Sequence, residues 1–430
     1  MSPPPQFPSA ADTDPAKLAW MQGAPPPADK LVRFGDMSHF QFPRTRWSFA
    51  NMRQLVPSTQ VWRGDGPPSA LPRAEGSEGD ARGREAAIDA ITFTPLGGGP
   101  PMTWARSLEA NYTDAICVLH RGRIVYERYL GVMKPHRVHM AMSVTKSYTG
   151  TLAEMLVHEG ALEAGRRVPH YIPELNGTAY EDATVRDVMD MRIGVRYSED
   201  YANPEAEIWE HVRAGGFFPQ PPGYQGPASF YGFLRTLRKD GPHGESFFYK
   251  TVSTDVLGWL IRRITGQSLG EVLSQRLWQP LGCEQDACLL VDSEGTEFAG
   301  GGLNPALRDM ARFGECMRLG GHFNGRQIVP QAVVEGIVRA GASAELVGAF
   351  KAAGPPTLPG GAYRSMWWMT NNAHGAYAAR GVHGQAIYID PKAEMVISRF
   401  GSHPLAANVN FDPTSLPAFE ALGRYGGGGG

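Results

Sequence analysis

Apolar and polar positions alternate at short range in two separate parts of the chain. Residues 115–130, AICVLHRGRIVYERYL, place two apolar runs around the turn RGR, and this pattern predicts a β-hairpin. Residues 375–391, GAYAARGVHGQAIYIDP, and 394–400, EMVISRF, flank the turn DPKA and predict further strands. The chain therefore has strand patterns well before and well after its middle.

Helical spacing dominates the sequence between these strands. In 140–160, MAMSVTKSYTGTLAEMLVHEG, apolar residues recur at helical intervals from Met142 to Leu156, and Gly160 ends the pattern. From Glu181 to about Leu281 the segments are mostly helical and joined by Pro and Gly loops, and Glu297–Leu319 holds another helix after a Gly turn. Strands at both ends with helices between them predict an α+β fold, with one antiparallel sheet and an inserted α-helical domain.

Composition divides the chain further. Residues 1–30 are rich in Pro, Ala and Asp, and Gly64–Arg84 is dense in Gly, Pro, Glu and Arg, so both stretches predict a flexible or draped extension. The aromatic segment RWSFANMRQLVP between them is expected to dock on the core. The expected units are an extension over 1–86, partly flexible and partly docked, an α/β sheet domain over 87–180 and 295–425, a helical domain over 181–294, and a Gly tail over 426–430.

Charge and cysteine content exclude several classes of protein. The 430 residues include 41 Lys and Arg and 43 Asp and Glu, so the net charge of -2 gives no reason to expect nucleic acid or an acidic membrane as partner. The four cysteines are too scattered for a disulfide framework or a zinc site. No basic and apolar leader and no long apolar window occurs, so a cytoplasmic protein is expected. The Gly-rich segments GGGP and GGGLNP lack a nucleotide-binding pattern and predict turns, so no cofactor is expected.

The clearest candidate chemistry is Ser143-Val144-Thr145-Lys146 at the start of a predicted helix. Residues three apart lie on one helix face, so the Lys146 amine can reach the Ser143 hydroxyl. A serine needs an adjacent base to act as a nucleophile, and a lysine among apolar neighbours has a lowered pKa. A solvated helix start explains the same motif equally well, because S-x-x-K pairs also arise by chance.

Two further segments could complete such a site. Tyr249 lies just before a predicted helix and could ionise or relay a proton. Gly381, Val382 and His383 lie at a strand, where small residues let a substrate approach the backbone and a free N–H can face an oxyanion. Taken singly, a packing tyrosine and a structural histidine are the commoner interpretations.

Taken in order, these segments resemble a known family. Ser-x-x-Lys on a helix, a Tyr before a second helix and a Gly-rich terminal strand are similar to the set found in penicillin-binding proteins and β-lactamases. The segments SVTKS and TDVLGWLIRRITGQSLGEVLSQRLWQPLG resemble the class C β-lactamase and esterase branch of these serine hydrolases. Over about 45–405, the segments RWSFANMRQLVPS, YSEDYANPEAE, FFYKTVSTDVLGW, RSMWWMTNN and GVHGQAIYIDP resemble the nylon-oligomer hydrolases of that family.

The resemblance implies the serine β-lactamase and DD-peptidase fold and a set of residue roles. It implies that Ser143 is the acylated nucleophile, Lys146 its general base and Tyr249 the proton relay. It also implies that Tyr201 closes over the substrate amide and that Trp368 lines the pocket.

The resemblance further implies that the backbone N–H groups of Ser143 and Val382 form the oxyanion hole. His383 and Gly381 are then expected to contact substrate. By family analogy a homodimer is also expected, with no metal and no cofactor.

The sequence departs from the family pattern at several positions. Tyr249-Lys250-Thr251 stands where β-lactamases have Tyr-x-Asn, and Ala379-Arg380-Gly381 stands where they have Lys-Thr-Gly, so a β-lactam carboxylate would have to be held by Arg380 alone. An acid expected after Tyr201 in the nylon-oligomer hydrolases falls on Val212, and the loop Phe217–Ala228 differs. Loss of that acid should weaken the preference for an amino-terminated substrate.

Three hypotheses remain for function. The first is a serine hydrolase that forms an acyl-enzyme and cleaves linear amides, such as the 6-aminohexanoate dimer, and short-chain carboxyl esters. The second is a β-lactamase or D-amino-acid peptidase. The third is an inactive family member that acts as a binding protein.

Overall fold

The computed structural model describes residues 7–427. The strands are β1 Ser58–Val61, β2 Thr92–Phe93, β3 Met102–Thr103, β4 Thr113–His120, β5 Arg123–Tyr129, β6 Ala287–Leu290, β7 Leu303–Asn304, β8 His322–Phe323, β9 Arg326–Gln327, β10 Ala362–Arg364, β11 Trp367–Met369, β12 Tyr377–Gly381, β13 Gln385–Asp390 and β14 Met395–Gly401.

The α-helices are α1 Thr45–Ser48, α2 Glu78–Asp89, α3 Trp104–Ala110, α4 Val144–His158, α5 Val185–Met189, α6 Glu207–Ala214, α7 Phe230–Leu234, α8 Thr251–Thr265, α9 Leu269–Leu273, α10 Gln279–Leu281, α11 Leu307–Arg318, α12 Gln331–Gly341, α13 Ala344–Lys351 and α14 Asp412–Gly427. A π-helical turn, Ser274–Trp278, joins α9 to α10. Short 3₁₀ turns occupy Ala28–Lys30, Ser38–Phe40, Met52–Gln54, Val168–His170, Pro173–Leu175, Val382–Gly384 and Asn408–Asn410.

The main sheet joins strands from both ends of the chain. Within the described residues it has seven strands in the order β10-β11-β12-β13-β14-β4-β5, and each neighbouring pair is antiparallel. The pairing of β14 with β4 connects the two predicted groups of strands. The predicted α+β fold is confirmed, as are an antiparallel sheet built from both ends of the chain and the β4–β5 hairpin. The described residues also form three smaller antiparallel sheets, β1-β6-β7, β2-β3 and β8-β9.

Both faces of this sheet are covered, which explains the unbroken apolar run Ala115–Leu119 in β4. Ala115, Cys117 and Leu119 point into the larger core, whereas Ile116 and Val118 point into a second core on the opposite face. Helices α4 and α11 pack against the sheet on the first side, and α2, α3 and α14 cover the second. Because side chains alternate along a strand, burial on both faces favours a continuous apolar run.

The predicted helices between the strands are present, and the larger core continues through them. Helix α8 packs against α4, and α5 packs against α8. Buried side chains from this helical region and from the sheet belong to one continuous cluster. The domain boundaries predicted at residues 86, 180 and 294 stay predictions.

The region before residue 87 contains more regular structure than its composition indicates. The end of Gly64–Arg84, a stretch predicted to be a flexible or draped extension, is helical, because α2 begins at Glu78. Ser77 and Asp80 form a reciprocal capping box at its start, which satisfies backbone N–H groups that composition does not take into account. Earlier in the chain, β1 pairs with β6.

The two ends of the chain carry the remaining differences. Residues 1–6 of the expected flexible stretch lie outside the described residues, while Trp20 packs with Val32 and Trp47. Helix α14 ends at Gly427, and the rest of the expected Gly tail, 428–430, also lies outside the described residues. Helices α12, α13 and α14 and strands β10 and β11 had no counterpart in the sequence-based prediction.

The described part of the chain gives no sign of several other features. Among residues 7–427 no helix combines the length and apolar character needed to cross a membrane. The same residues contain no cluster of His, Cys, Asp and Glu able to hold a metal ion. All four cysteines are buried and unpaired: Cys117, Cys283, Cys288 and Cys316.

Candidate active site

Ser143 lies at the start of α4, at the edge of a cavity. Met142 just before it has a left-handed backbone with φ of 49°, and this turn directs the chain into the helix at Val144. A non-glycine residue in this conformation is uncommon and recurs at functional sites. The side chain of Lys146, one helical turn later, places Nζ 2.9 Å from Ser143 Oγ.

Burial determines the properties of Lys146. Its side chain is 1% exposed, and Nζ also donates a hydrogen bond to the carbonyl oxygen of Gly300 at 2.5 Å. Burial lowers its pKa to about 8, although the negative charges of Glu199 and Asp255 act in the opposite direction. An amine with this pKa is partly uncharged at neutral pH and can accept a proton.

Tyr249, in the segment before α8, lies beside Lys146 and Ser143. Lys146 Nζ lies 5.1 Å from the centre of its ring, and the ring stacks on Trp368 at 5.2 Å. Burial and then the charge of Glu199 raise its pKa well above the usual value, while the neighbouring Ser143 hydroxyl and Arg380 act to lower it. The phenol therefore keeps its proton at neutral pH, which favours proton relay over ionisation.

The end of β12 passes close to the turn before α4. A Cβ atom on Gly381 would lie 2.7 Å from the Ala141 carbonyl oxygen and 2.9 Å from the Ser143 nitrogen, so only glycine fits there. Neither the Ser143 N–H nor the Val382 N–H donates a backbone hydrogen bond within the described residues. Both residues line the cavity, which is the arrangement an oxyanion would need.

Glu199 is a residue that the sequence did not single out. Its carboxylate accepts hydrogen bonds from the Tyr201 hydroxyl at 2.5 Å and from the Thr251 hydroxyl at 2.7 Å. The first backbone N–H of α8, that of Thr251, donates to it at 2.7 Å, so its charge also lies at the positive end of a helix. The only signal in the sequence was an acid two positions before Tyr201.

Gly300 and Asp255 also help to form the site, and the sequence analysis did not identify either residue. The Gly300 carbonyl oxygen accepts a hydrogen bond from Lys146 Nζ. The Gly300 N–H in turn donates to Asp255 Oδ1 at 3.0 Å. The other oxygen of Asp255 lies 2.9 Å from Nε2 of His211, which is fully buried. The turn predicted at GGGLNP therefore holds the lysine in position.

Trp368 and Arg380 are not among the residues that line the cavity. Trp368 does not line the cavity but lies one layer behind it, because its ring packs on Tyr249 and Tyr363. The Arg380 guanidinium donates a hydrogen bond to Asp412 and lies 5.5 Å from the centre of the Trp368 ring. Its charge is already paired, so it is poorly suited to hold a β-lactam carboxylate.

The cavity beside Ser143 has a volume of about 80 Å³ and a predominantly apolar wall. Tyr201 and His383 line it, and their contact with substrate stays a prediction. Helix α6, the segment after it and the region before α1 contribute six further lining residues, namely Phe40, Ile208, Trp209, Val212, Phe217 and Phe218.

Comparison with known proteins agrees with this architecture. The family model described as Beta-lactamase matches residues 105–404. The 6-aminohexanoate-dimer hydrolase of Paenarthrobacter ureafaciens is 34% identical over 402 residues, which cover 93% of this chain and 91% of the relative.

Solved structures give the same result. A Bacillus anthracis protein provisionally named 6-aminohexanoate-dimer hydrolase has a TM-score of 0.81 at 30% identity, covering 93% of this chain and 98% of the other. A penicillin-binding protein homologue from Caulobacter crescentus has a TM-score of 0.54 at 15% identity, covering 74% of this chain and 96% of the other. The second likeness concerns the fold alone.

Proposed function

The chain belongs to the beta-lactamase family of serine hydrolases, and from this premise we propose that it cleaves linear amides and short-chain carboxyl esters through an acyl-enzyme on Ser143. The observation that carries the proposal is the 2.9 Å contact between Ser143 Oγ and the buried Nζ of Lys146. A lysine enclosed in this way serves the serine and has no evident structural use.

The first half of the reaction transfers the acyl group to the enzyme. Ser143 Oγ bonds to the substrate carbonyl carbon as its proton passes to Lys146, and the oxyanion is held by the N–H groups of Ser143 and Val382. The bond to the leaving nitrogen or oxygen then breaks. Tyr249 gives its proton to that leaving group and regains one from Lys146, so both residues return to their starting states.

The second half releases the acid. A water molecule bonds to the acyl carbon while its proton passes to Lys146 with the aid of Tyr249. The bond to Ser143 Oγ then breaks, and the serine recovers its proton from Lys146. The carboxylic acid leaves, and no cofactor enters either half of the cycle.

The substrate is proposed in two steps. The relative from Paenarthrobacter ureafaciens is named for the 6-aminohexanoate dimer, so linear amides of that kind are the first class to test. Short-chain esters are the second, because acyl transfer to serine is chemically easier from an ester than from an amide. β-Lactams are a weaker candidate, since Arg380 is paired with Asp412.

The test is mass spectrometry of the intact protein after brief mixing with p-nitrophenyl acetate and with the 6-aminohexanoate dimer. With p-nitrophenyl acetate the expected result is an acyl increment on the peptide that contains Ser143, and its absence from the Ser143→Ala variant. The dimer shows whether a linear amide with two charged ends reacts as well. Ser293→Ala, in an exposed loop, is the matched control and should keep wild-type turnover. Turnover of p-nitrophenyl acetate by Ser143→Ala near the wild-type rate would mean that another residue is the nucleophile.

A further inference from the structure

The wall of the cavity beside Ser143 carries almost no polar surface. Aliphatic side chains of α6, Ile208 and Val212, face aromatic rings that come from other parts of the chain, among them Phe217 and Phe298. The cavity offers about 80 Å³ to the centres of water-sized groups, which is space for several water molecules and hence for a few carbon atoms of a substrate chain. A substrate group that enters the cavity loses its contacts with water and gains contacts with apolar side chains.

The ionisable side chains that line this cavity are uncharged at neutral pH. Burial lowers the pKa of His383 to about 4, and its Nδ1 donates to the His403 carbonyl oxygen at 2.7 Å. Burial, followed by the charge of Glu199, raises the pKa of Tyr201 well above its usual value. No Asp, Glu, Lys or Arg is among the described residues that line the cavity.

The nearest charged groups already have partners. Lys146 lies beneath Ser143 and donates to the serine and to Gly300. Glu199 lies behind Tyr201 and Thr251 and accepts three hydrogen bonds from them. An ammonium or carboxylate group inside the cavity would therefore lose its water without gaining a partner, which is costly.

We propose that this cavity selects an uncharged, apolar chain of the amide or ester substrate and rejects a chain that ends in an ammonium or carboxylate group. This inference rests on the proposed function, because it assigns the substrate class of the same Ser143 site. It departs from the substrate that gives the Paenarthrobacter ureafaciens relative its name, since a 6-aminohexanoyl chain ends in an amine.

Matched substrates test the inference directly. We would measure kcat/KM at pH 7 for p-nitrophenyl esters of hexanoic acid, 6-aminohexanoic acid and adipic acid, each normalised to its rate of hydrolysis by hydroxide. A second set of acetamides would place the same chains, uncharged, ammonium-terminated and carboxylate-terminated, in the amine that leaves. In the set whose chain occupies the cavity, the uncharged chain should be preferred by roughly 10- to 100-fold.

A pair of variants then tests the cause of the preference. Val212 is half-buried and lines the cavity, so Val212→Asp places a carboxylate in the wall, whereas Val212→Asn adds a neutral group of the same size. The Asp variant should raise kcat/KM for the ammonium chain relative to the uncharged chain by about tenfold, and the Asn variant should not. Acylation of Ser143 by p-nitrophenyl acetate confirms that each variant is folded.

The outcomes separate this inference from the proposed function. If Ser143 is acylated and charged and uncharged chains react within threefold of each other in both sets, the inference is overturned and the hydrolase remains. Equal shifts in the Asp and Asn variants would likewise overturn it. If Ser143 is not acylated by any ester or amide, the proposed function fails, and the substrate class fails with it.

Discussion

In the proposed mechanism, the buried amine of Lys146 controls proton transfer. Lys146 Nζ lies between the Ser143 hydroxyl and the Gly300 carbonyl, and burial lowers its pKa to about 8. Only the uncharged amine can take the serine proton. The fraction of enzyme that is competent therefore rises with pH up to the pKa of the lysine and is constant above it.

The pH dependence of activity follows from this fraction. For p-nitrophenyl acetate, kcat/KM should rise nearly tenfold per pH unit on the acid side and level off near pH 8. The profile should be recorded from pH 5.5 to 9.5 and corrected for spontaneous hydrolysis.

The Lys146→Arg variant is the control for this assignment. Its guanidinium stays protonated, so kcat should fall about 10²- to 10⁴-fold at every pH. If kcat/KM of the wild-type enzyme did not change with pH, the assignment to Lys146 would be wrong. If the acid-side rise in kcat/KM were the same in Lys146→Arg as in the wild type, another group would be responsible for it.

The charge of Glu199 affects the pKa of Lys146, and a neutral residue at position 199 should reveal this effect. Its charge raises the pKa of Lys146, so Glu199→Gln should move the acid limb of the profile to lower pH. The amide keeps an oxygen for Tyr201 or Thr251, which limits the structural disturbance. The measurement is the midpoint of the limb in the variant and the wild type.

Glu205→Gln serves as the matched control for that shift. Glu205 is exposed on the same loop and makes no side-chain contact with the site. The acid-side rise of kcat/KM in Glu205→Gln should therefore coincide with that of the wild type. A shift to higher pH in Glu199→Gln would contradict the electrostatic assignment.

At the scale of elements, helix α4 is pressed against the turn between β10 and β11. A Cβ atom on Gly150 would lie 2.3 Å from the backbone oxygen of Ser365 and 2.7 Å from the Met366 side chain. Backbone cannot move aside as a flexible side chain can. This close approach places the helix that carries Ser143 and Lys146 against the sheet.

Gly150→Ala should therefore destabilise the protein although alanine favours helices. We expect the free energy of unfolding to fall by about 1–3 kcal/mol through overpacking. Gly348→Ala on α13 is the control, because its Cβ would meet nothing within 4 Å, and it should leave stability unchanged or raise it slightly. Denaturant titration of both variants distinguishes the cases, and equal stability would refute the packing argument.

At the scale of the whole molecule, a buried ion pair fastens the chain before residue 87 to the main sheet. Arg46 on α1 donates to Asp114 on β4 at 3.2 Å and to the Ala10 carbonyl oxygen at 2.5 Å. His139 contacts the other oxygen of Asp114 at 3.3 Å. Six residues before Arg46, Phe40 lines the cavity, so this attachment also helps to form the site.

Removing the arginine should leave the buried Asp114 carboxylate without its guanidinium partner, with only the contact to His139 remaining. We expect Arg46→Ala to lower the free energy of unfolding by about 3–5 kcal/mol, as measured by urea titration at pH 7. Arg106→Ala, whose ion pair with Glu109 is exposed, is the control and should change stability little.

The pH dependence of stability provides a second check on the same pair. Burial acts to raise the pKa of Asp114, but hydrogen bonding from His139 and the charge of Arg46 lower it overall. A lowered pKa contributes stability above the unfolded pKa and loses it as pH falls through the folded pKa. The wild type should thus lose more stability on acidification than Arg46→Ala, and parallel curves would argue against the pair.

Sequence patterns predicted the parts of the fold whose signals are local. The β4–β5 hairpin has two apolar runs and a Gly turn, and α4 has helical spacing and a terminal Gly, so neighbouring residues suffice to predict them. Helix α2 also had a local signal in Ser77 and Asp80, but its composition obscured it. Strands β10 and β11 are only three residues long, which is too short for an alternation to be recognised.

The proximity of Ser143 and Lys146, the proposed nucleophile and base, was predictable because the two residues are one turn apart at the start of the same helix. The contributions of Gly300 and Glu199 depend on contacts with residues distant in sequence, and no local pattern indicates such contacts. The pairing of Arg380 with Asp412 likewise depends on α14, which was not predicted.

Several residues of the cavity wall lie far along the chain from the groups proposed to transfer protons. Phe40, Trp209, Phe217 and Phe218 line the cavity, whereas the side chains of Lys146 and Tyr249 do not. Evolution can therefore retune what the enzyme accepts while its chemistry stays constant. A saturation library restricted to those four wall positions is the economical route to new selectivities from this scaffold.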